Sequence, residues 1–192
     1  MTEKNSKSSL PEPLSRRRFL GLGAAALTAP FLSRLTALAS ADPLPPDRSL
    51  SFYNIHTGES ASVEYCHSGR FIAPSLAKIN RVLRDHRSGE IRAIEVKLLD
   101  LLYSLSRKVA TEGPFHVISG YRSPRTNASL RRQGDGVAEN SLHLLGRAID
   151  VRVPGVKLMD LYRAALSLRG GGVGIYPESD FVHVDVGRVR SW

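Results

Sequence analysis

His143 and Asp150 place an imidazole and a carboxylate seven residues apart, and His183 adds a second imidazole thirty-three residues further on. Two nitrogen donors and one oxygen donor fill three positions of a tetrahedral zinc and leave the fourth open to water, which marks a catalytic rather than a structural site. Asp150 lies in the apolar run Ala148-Ile-Asp-Val-Arg-Val153, where a charged carboxylate is costly unless it is paired or bound to a metal. The same three residues also suit a hydrogen-bonded His–Asp pair with an unrelated second histidine, and spacing alone leaves both readings open.

Strand alternation turns Phe181, His183 and Asp185 to one face, with Val182, Val184 and Val186 packing behind. If this strand neighbours the one carrying Asp150, the carboxylate and the second imidazole meet. His143 then enters from the preceding loop, and Gly146 lets the backbone turn between the first two donors. Asp185, on the face of His183, is placed to orient that ring. Arg122 follows a strand and Gly120, where its guanidinium either faces a cleft or caps a surface loop. Ser141 has no Gly-x-Ser-x-Gly elbow around it and reads as a hydrogen-bonding residue of the shell, not a nucleophile. Tyr121 and Tyr176 read first as packing aromatics. His56, His67 and His116 are expected to stay outside the donor set.

The elements that must position these groups are legible from periodicity. Strands are expected over 50–56 and 61–66, joined by a hairpin at Thr57-Gly58-Glu59. Pro74 opens a helix ending near 86–89, and a longer helix is expected over 91–109 with Ile94, Leu98, Leu101, Leu102 and Leu105 buried. A strand over 115–119, a short helix over 125–132 and a loop over 133–140 lead into the site. Beyond it come a strand at 148–153, a helix at 157–168, and strands at 174–176 and 181–186 joined through 177–180. These elements fit an α+β fold in which helices cover one face of a small, largely antiparallel sheet.

The chain has 192 residues, one cysteine (Cys66) and a formal net charge of +9. One cysteine excludes an intramolecular disulfide and a Cys-based zinc site, and Cys66 reads as a small buried hydrophobe. Residues 1–41 hold six of the basic and two of the acidic side chains, which leaves 21 basic against 16 acidic, or +5, for the remainder. That is a modest bias toward anionic partners such as an acidic polymer. No RNA-binding signature or basic-aromatic stripe supports nucleic acid as a partner. Arg16-Arg17-Arg18 before Phe19-Leu20, the apolar run 21–32 and Ala39-Ser40-Ala41 form a basic region, a short hydrophobic region and a small-residue cleavage site. The paired arginines resemble a twin-arginine signal, so export by that machinery to the periplasm is expected. Cleavage after Ala41 would leave no stable membrane anchor. Residues 42–48, with Pro43, Pro45 and Pro46, read as an extended lead-in to one domain over 49–192.

Ser141-x-His143-x-x-Gly146-x-Ala148-x-Asp150, followed by His183, resembles the zinc D-alanyl-D-alanine peptidases of the LAS group, and the likeness extends from about Ser49 to Trp192, densest over Ser119 to Asn127, Ser141 to Pro154 and Gly171 to Arg190. The resemblance implies the small α+β fold of Hedgehog-like and D,D-peptidase domains, Zn2+ held by His143, Asp150 and His183, and peptidoglycan cross-links as the substrate. It implies that Arg122 binds a substrate carbonyl or carboxylate and stabilises developing negative charge. Related enzymes often place the general base three residues before the last histidine, where this chain has Asp180; Asp185 is the rival, and Asp180 also suits a turn. The function expected is a zinc-dependent murein endopeptidase acting in cell-wall growth or remodelling. The alternatives are a D-alanyl-D-alanine carboxypeptidase and a zinc-stabilised peptidoglycan-binding module without turnover.

Overall fold

The computed structural model describes residues 46–134 and 137–192. The expected export segment 1–41 and the lead-in up to residue 45 lie outside the described residues, as do residues 135 and 136 of the expected 133–140 loop. Among the described residues, no helix is long and apolar enough to cross a membrane.

Eight strands form one sheet: β1 (Arg48–Asn54), β2 (Ser60–His67), β3 (Arg70–Phe71), β4 (Phe115–Ser119), β5 (Ala148–Arg152), β6 (Gly172–Tyr176), β7 (Phe181–Asp185) and β8 (Arg190–Ser191). Their order is β3-β2-β1-β4-β5-β7-β6-β8. β1 with β4 and β6 with β8 run parallel, while the other neighbours run antiparallel, so the α+β architecture is built on a mixed sheet. The short strands β3 and β8 carry no periodic signal of their own and exist only because a longer neighbour supplies the ladder.

Among the described residues there are four helices: α1 (Ala73–Val82), α2 (Val96–Lys108), α3 (Pro124–Gln133) and α4 (Leu158–Leu168). Proline opens both α1 and α3, where its missing N–H costs nothing. Ser123 caps α3 by accepting the Thr126 N–H. Leu98, Leu99, Leu102 and Leu105 make one fully buried stripe along α2. α1 packs on β1 and β2, α2 on β1 and on α4, and α4 on β6 and β7. The sheet face they cover carries Leu50, Phe52, Phe115, Val117, Ile149, Val151, Val182 and Val184, each buried. Alternation then sends Asp150, His183 and Asp185 to the opposite face.

The helix expected over 91–109 begins five residues late, at Val96. Residues 93–95 are held in an irregular path instead. Ile94 N–H donates to Asn80 Oδ1 at 2.9 Å and Glu95 N–H to the Gly146 carbonyl at 2.9 Å. Gly146 has φ +65°, and a Cβ there would lie 2.4 Å from the Ala93 carbonyl oxygen, so the turn between His143 and Asp150 needs glycine on both counts. Ile94 remains buried as expected, but from a loop.

The loop after α1 carries His86 stacked on His56, with ring centroids 3.9 Å apart. Burial, then the His56 ring and Arg87, push the His86 pKa down to about 4 from an ordinary value of 6.5. A histidine whose folded pKa is lowered binds more protons when unfolded, so its stabilising effect is full above pH 6.5 and is lost as pH falls toward 4. Denaturant midpoints measured between pH 7.5 and 4.5 are expected to fall less steeply in His86→Asn than in the parent protein. Parallel slopes would show that His86 is solvated and titrates normally.

Candidate metal centre

The register of the sheet assembles the centre. Asp150 on β5 pairs directly with His183 on β7, Ser119 on β4 pairs with Asp150, and Gly174 on β6 pairs with His183. One row of residues therefore runs across four strands on the open face, with two of the three expected donors at its middle. His143 comes from a 3-10 turn, Leu142–Leu145, whose start is capped by the Ser141 side chain accepting from the His143 N–H. Ser141 is thus a shell residue, as its surroundings suggested.

His143 Nε2 stands 3.3 Å from His183 Nδ1 and 3.3 Å from Asp150 Oδ2, and His183 Nδ1 stands 2.8 Å from Asp150 Oδ1. One donor atom from each of the three residues lies within 4.8 Å of the others. Both rings are fixed from behind. His143 Nδ1–H donates to the Gly120 carbonyl at 2.7 Å, which directs the Nε2 lone pair inward. His183 Nε2 faces Asp185 Oδ2 at 3.2 Å, which aims Nδ1 at the same point. Outer nitrogens tied to a carbonyl and a carboxylate are what metal-ligating histidines require, so the donor set fits a divalent cation of zinc type.

The electrostatics follow from the packing. Burial pushes the Asp150 carboxyl up, but the neighbouring His143 and His183 rings outweigh it and hold the group well below the usual carboxylate range. Burial alone would lower His183, but without a cation its hydrogen bonds to Asp150 and Asp185 raise it to about 9, and a bound cation would take the place of the Nδ1 proton. Asp185 is fully buried. Its charge is matched by Arg190 Nη2 at 2.6 Å and by the N–H groups of Gly172 and Gly187 at 2.9 and 2.8 Å. Its contact with the donor set runs through His183 Nε2.

Arg122 lies beside the donors, with Nη2 3.8 Å from Asp150 Oδ2 and its backbone N–H on the His143 carbonyl at 3.2 Å. Its Nε is buried without a hydrogen-bond partner among the described residues. Burial pushes its pKa down, and Asp150 opposes the shift. A cavity of about 300 Å³ opens here between Arg122, His143, Asp150, Tyr176, His183 and Trp192. Asp180 is not in it. That residue sits in the left-handed region at the end of a 3-10 turn, exposed, with its carboxylate 3.2 Å from Arg152 and lining a neighbouring depression with His116. Of the tyrosines, Tyr176 lines the cleft and Tyr121 is buried in the core. Cys66 is buried and free. His56, His67 and His116 lie outside the donor set.

Four contributors were not anticipated. Asp85 is buried and accepts N–H bonds from Ser123 and Arg87, each at 2.9 Å, while the Tyr121 N–H donates to the Leu83 carbonyl at 2.7 Å. The loop after α1 thereby holds the 120–123 turn, and with it the carbonyl that orients His143. Asp85-His-Arg-Ser-Gly89 is an ordinary turn signal and gives no hint of this reach. The Gly120 carbonyl, being backbone, has no signal at all. Arg190 and Trp192 could have been suspected from Gly172-x-Gly174 alternating along a strand, a pattern that clears side chains from one face.

Residues 43–192 match the family model described as Peptidoglycan L,D-endopeptidase MepK. The chain is 43% identical over 178 residues to Peptidoglycan L,D-endopeptidase MepK of Escherichia coli (strain K12), covering 93% of this chain and 97% of that protein. The protein of the same name from Shigella flexneri matches to the same extent. Identity is 40% over 179 residues to the Probable peptidoglycan L,D-endopeptidase MepK of Haemophilus influenzae, covering 93% of this chain and 95% of that protein. No solved structure matches.

Single changes of His143, Asp150 or His183 to Ala are expected to abolish stoichiometric zinc retention through gel filtration while the far-ultraviolet circular dichroism persists. Asp185→Asn is expected to weaken zinc affinity about 10- to 100-fold, the range for a partner that orients a ligand. Unaltered affinity in competition with a fluorescent chelator would remove Asp185 from the centre.

Proposed function

The chain belongs to the Peptidoglycan L,D-endopeptidase MepK family, and from that membership we propose that it hydrolyses peptide cross-links of peptidoglycan in a zinc-dependent reaction, with L,D cross-links as its substrate. The observation that carries this reading is the convergence of His143 Nε2, Asp150 and His183 Nδ1 at one point, each ring tied down on its far side. The small α+β domain common to Hedgehog-like and D,D-peptidase proteins is the architecture we assign to residues 49–192.

His143, Asp150 and His183 would hold the zinc. Bound there, the ion supplies a Lewis acid that polarises the scissile carbonyl and brings the pKa of a water down to about 7. The chain's own residues do the rest. Arg122 presents a guanidinium to the cleft, with Nη2 beside Asp150, placed to receive the carbonyl oxygen as negative charge develops on it. With a cation in place of the Nδ1 proton, Asp185 would hold the remaining ring proton of His183 on Nε2, and Arg190 keeps Asp185 charged. Of the two carboxylates put forward as the base, Asp185 is the one in contact with the centre, and Asp180 is engaged with Arg152 outside it. We assign the catalytic dependence to Asp185.

Residues 1–41 complete the proposal. The arginine cluster, the apolar run and the Ala39-Ser40-Ala41 site support passage through the twin-arginine machinery into the periplasm, where the substrate lies, with removal of the segment and no lasting anchor.

The test is digestion of purified peptidoglycan rich in L,D cross-links, resolved by muropeptide chromatography. Cross-linked dimers are expected to give monomers, with the reaction stopped by a chelator and restored by zinc. Monomers shortened by one D-alanine would instead make the protein a carboxypeptidase, and bound zinc without any product would make it a binding module. In the same assay Asp180→Ala is expected to stay within about 2-fold of the parent kcat/KM, and Asp185→Ala to lose at least about 10-fold.

A further inference from the structure

Alternation along β6 places Gly172, Gly174 and Tyr176 on the sheet face that carries Asp185, His183 and Phe181. Two of these three positions lack a side chain, and the segment 187–192 occupies the vacated space. A Cβ at Gly174 would lie 2.5 Å from the Trp192 indole, and one at Gly172 would run into Arg190 and Asp185. β8 pairs along β6, and Trp192 is locked to the same strand by its N–H on the Val173 carbonyl at 3.2 Å and its carbonyl on the Ile175 N–H at 3.1 Å.

The indole is oriented from three sides. Its Nε1–H donates to the Tyr176 hydroxyl at 2.8 Å. The Arg190 guanidinium lies 4.9 Å from its ring centre. The ring stands 5.3 Å from that of His183, a zinc ligand of the reading above. Yet Trp192 remains 46% exposed, and Tyr176, stacked on Phe181 at 4.5 Å, remains 38% exposed. Both belong to the wall of the cavity that holds the donor set. Large aromatics fixed in place and still open to water, beside a reacting centre, are arranged for a ligand and not for a core.

We propose that Trp192, with Tyr176 and Phe181, forms an aromatic shelf that takes the aliphatic arm of the cross-linking residue in the peptide substrate, and that Trp192 thereby sets substrate affinity. The inference rests on the endopeptidase reading. The two walls of the cavity differ in chemistry: Arg122 and the carboxylate side of the centre suit the polar peptide groups, and the shelf on the far side of His183 offers a flat apolar face. A peptide cross-link that runs through an amino-acid side chain has that composition, a stretch of methylenes with polar groups at both ends. A sugar ring of the glycan is the competing occupant, and the experiment separates the two.

Trp192 is the single tryptophan of the chain, so its emission reports on the shelf alone. The metal-free full-length protein, which cannot turn over, would be titrated with a sugar-free cross-linked peptide dimer and with the same dimer carrying its sugars, by fluorescence and by calorimetry. Saturable change in emission with the sugar-free dimer is expected. Trp192→Leu is expected to bind it about tenfold more weakly, with Trp192→Phe recovering most of the loss. In the zinc-loaded enzyme the same variant is expected to raise KM by a similar factor with kcat little changed and zinc stoichiometry intact. Calorimetric binding without any change in emission, or parent-like affinity and KM in Trp192→Leu, would overturn the shelf while leaving the endopeptidase standing. An emission change confined to the sugar-bearing dimer would overturn the aliphatic assignment. A parent protein that neither binds nor cleaves the dimer would take down both readings together.

Discussion

A carboxylate buried in the middle of a sheet is the constraint on which this molecule is built. Asp150 has Ile149 and Val151 as chain neighbours and only 6% of its surface exposed. An isolated charge in that position would cost several kcal/mol, or the group would protonate. Neither is needed, because the β5–β7 register puts His183 directly opposite it and the turn after α3 delivers His143 to the same point. A slip of one residue in that pairing would turn His183 toward the helices and leave Asp150 facing a valine. The hydrophobic face formed by Val182, Val184, Ile149 and Val151 is what forbids the slip. Core packing and site assembly are thus one event.

The shell around the donors is built from parts distant in sequence. The loop after α1 holds the 120–123 turn through Asp85, the turn offers its carbonyl to His143, and Gly146 ties the far side of the same histidine segment to residues 93–95. A buried carboxylate accepting several backbone N–H bonds keeps its charge: burial would raise the Asp85 pKa, but its bonds to Thr126 and Ser123 hold it far below the ordinary range. The loop before α2 forgoes a turn of helix to make its contact. Local helix propensity yields there to a tertiary hydrogen bond from Glu95.

Much of this was readable from residue types. Strict alternation in 181–186 identified which residues share the face of His183, and the incongruous Asp150 within an apolar run marked the centre. Strand β4 and the hairpin at residue 57 fell where their patterns placed them. What escaped was whatever depends on a partner outside the pattern. β3 and β8 are two-residue ladders, the start of α2 is decided by Gly146, and the orienting carbonyl of Gly120 belongs to no side chain. The site of Asp180 illustrates the same limit. The resemblance put it forward as a base and its setting equally suited a turn; a left-handed backbone at the end of a 3-10 turn places its carboxylate on Arg152.

Asp185 belongs to two structures at once. One oxygen reaches both His183 and Arg190, and the other gathers the Gly172 and Gly187 N–H groups that bend the chain into β8. Whatever free energy the donor set gains from a firmly held His183 is therefore shared with the anchoring of residues 187–192. Thermodynamic reciprocity then applies: a cation bound by the histidines steadies that segment by the same factor by which the segment tightens the hold on the cation. The wall of the cleft and the affinity of the centre are two readouts of a single coupled equilibrium.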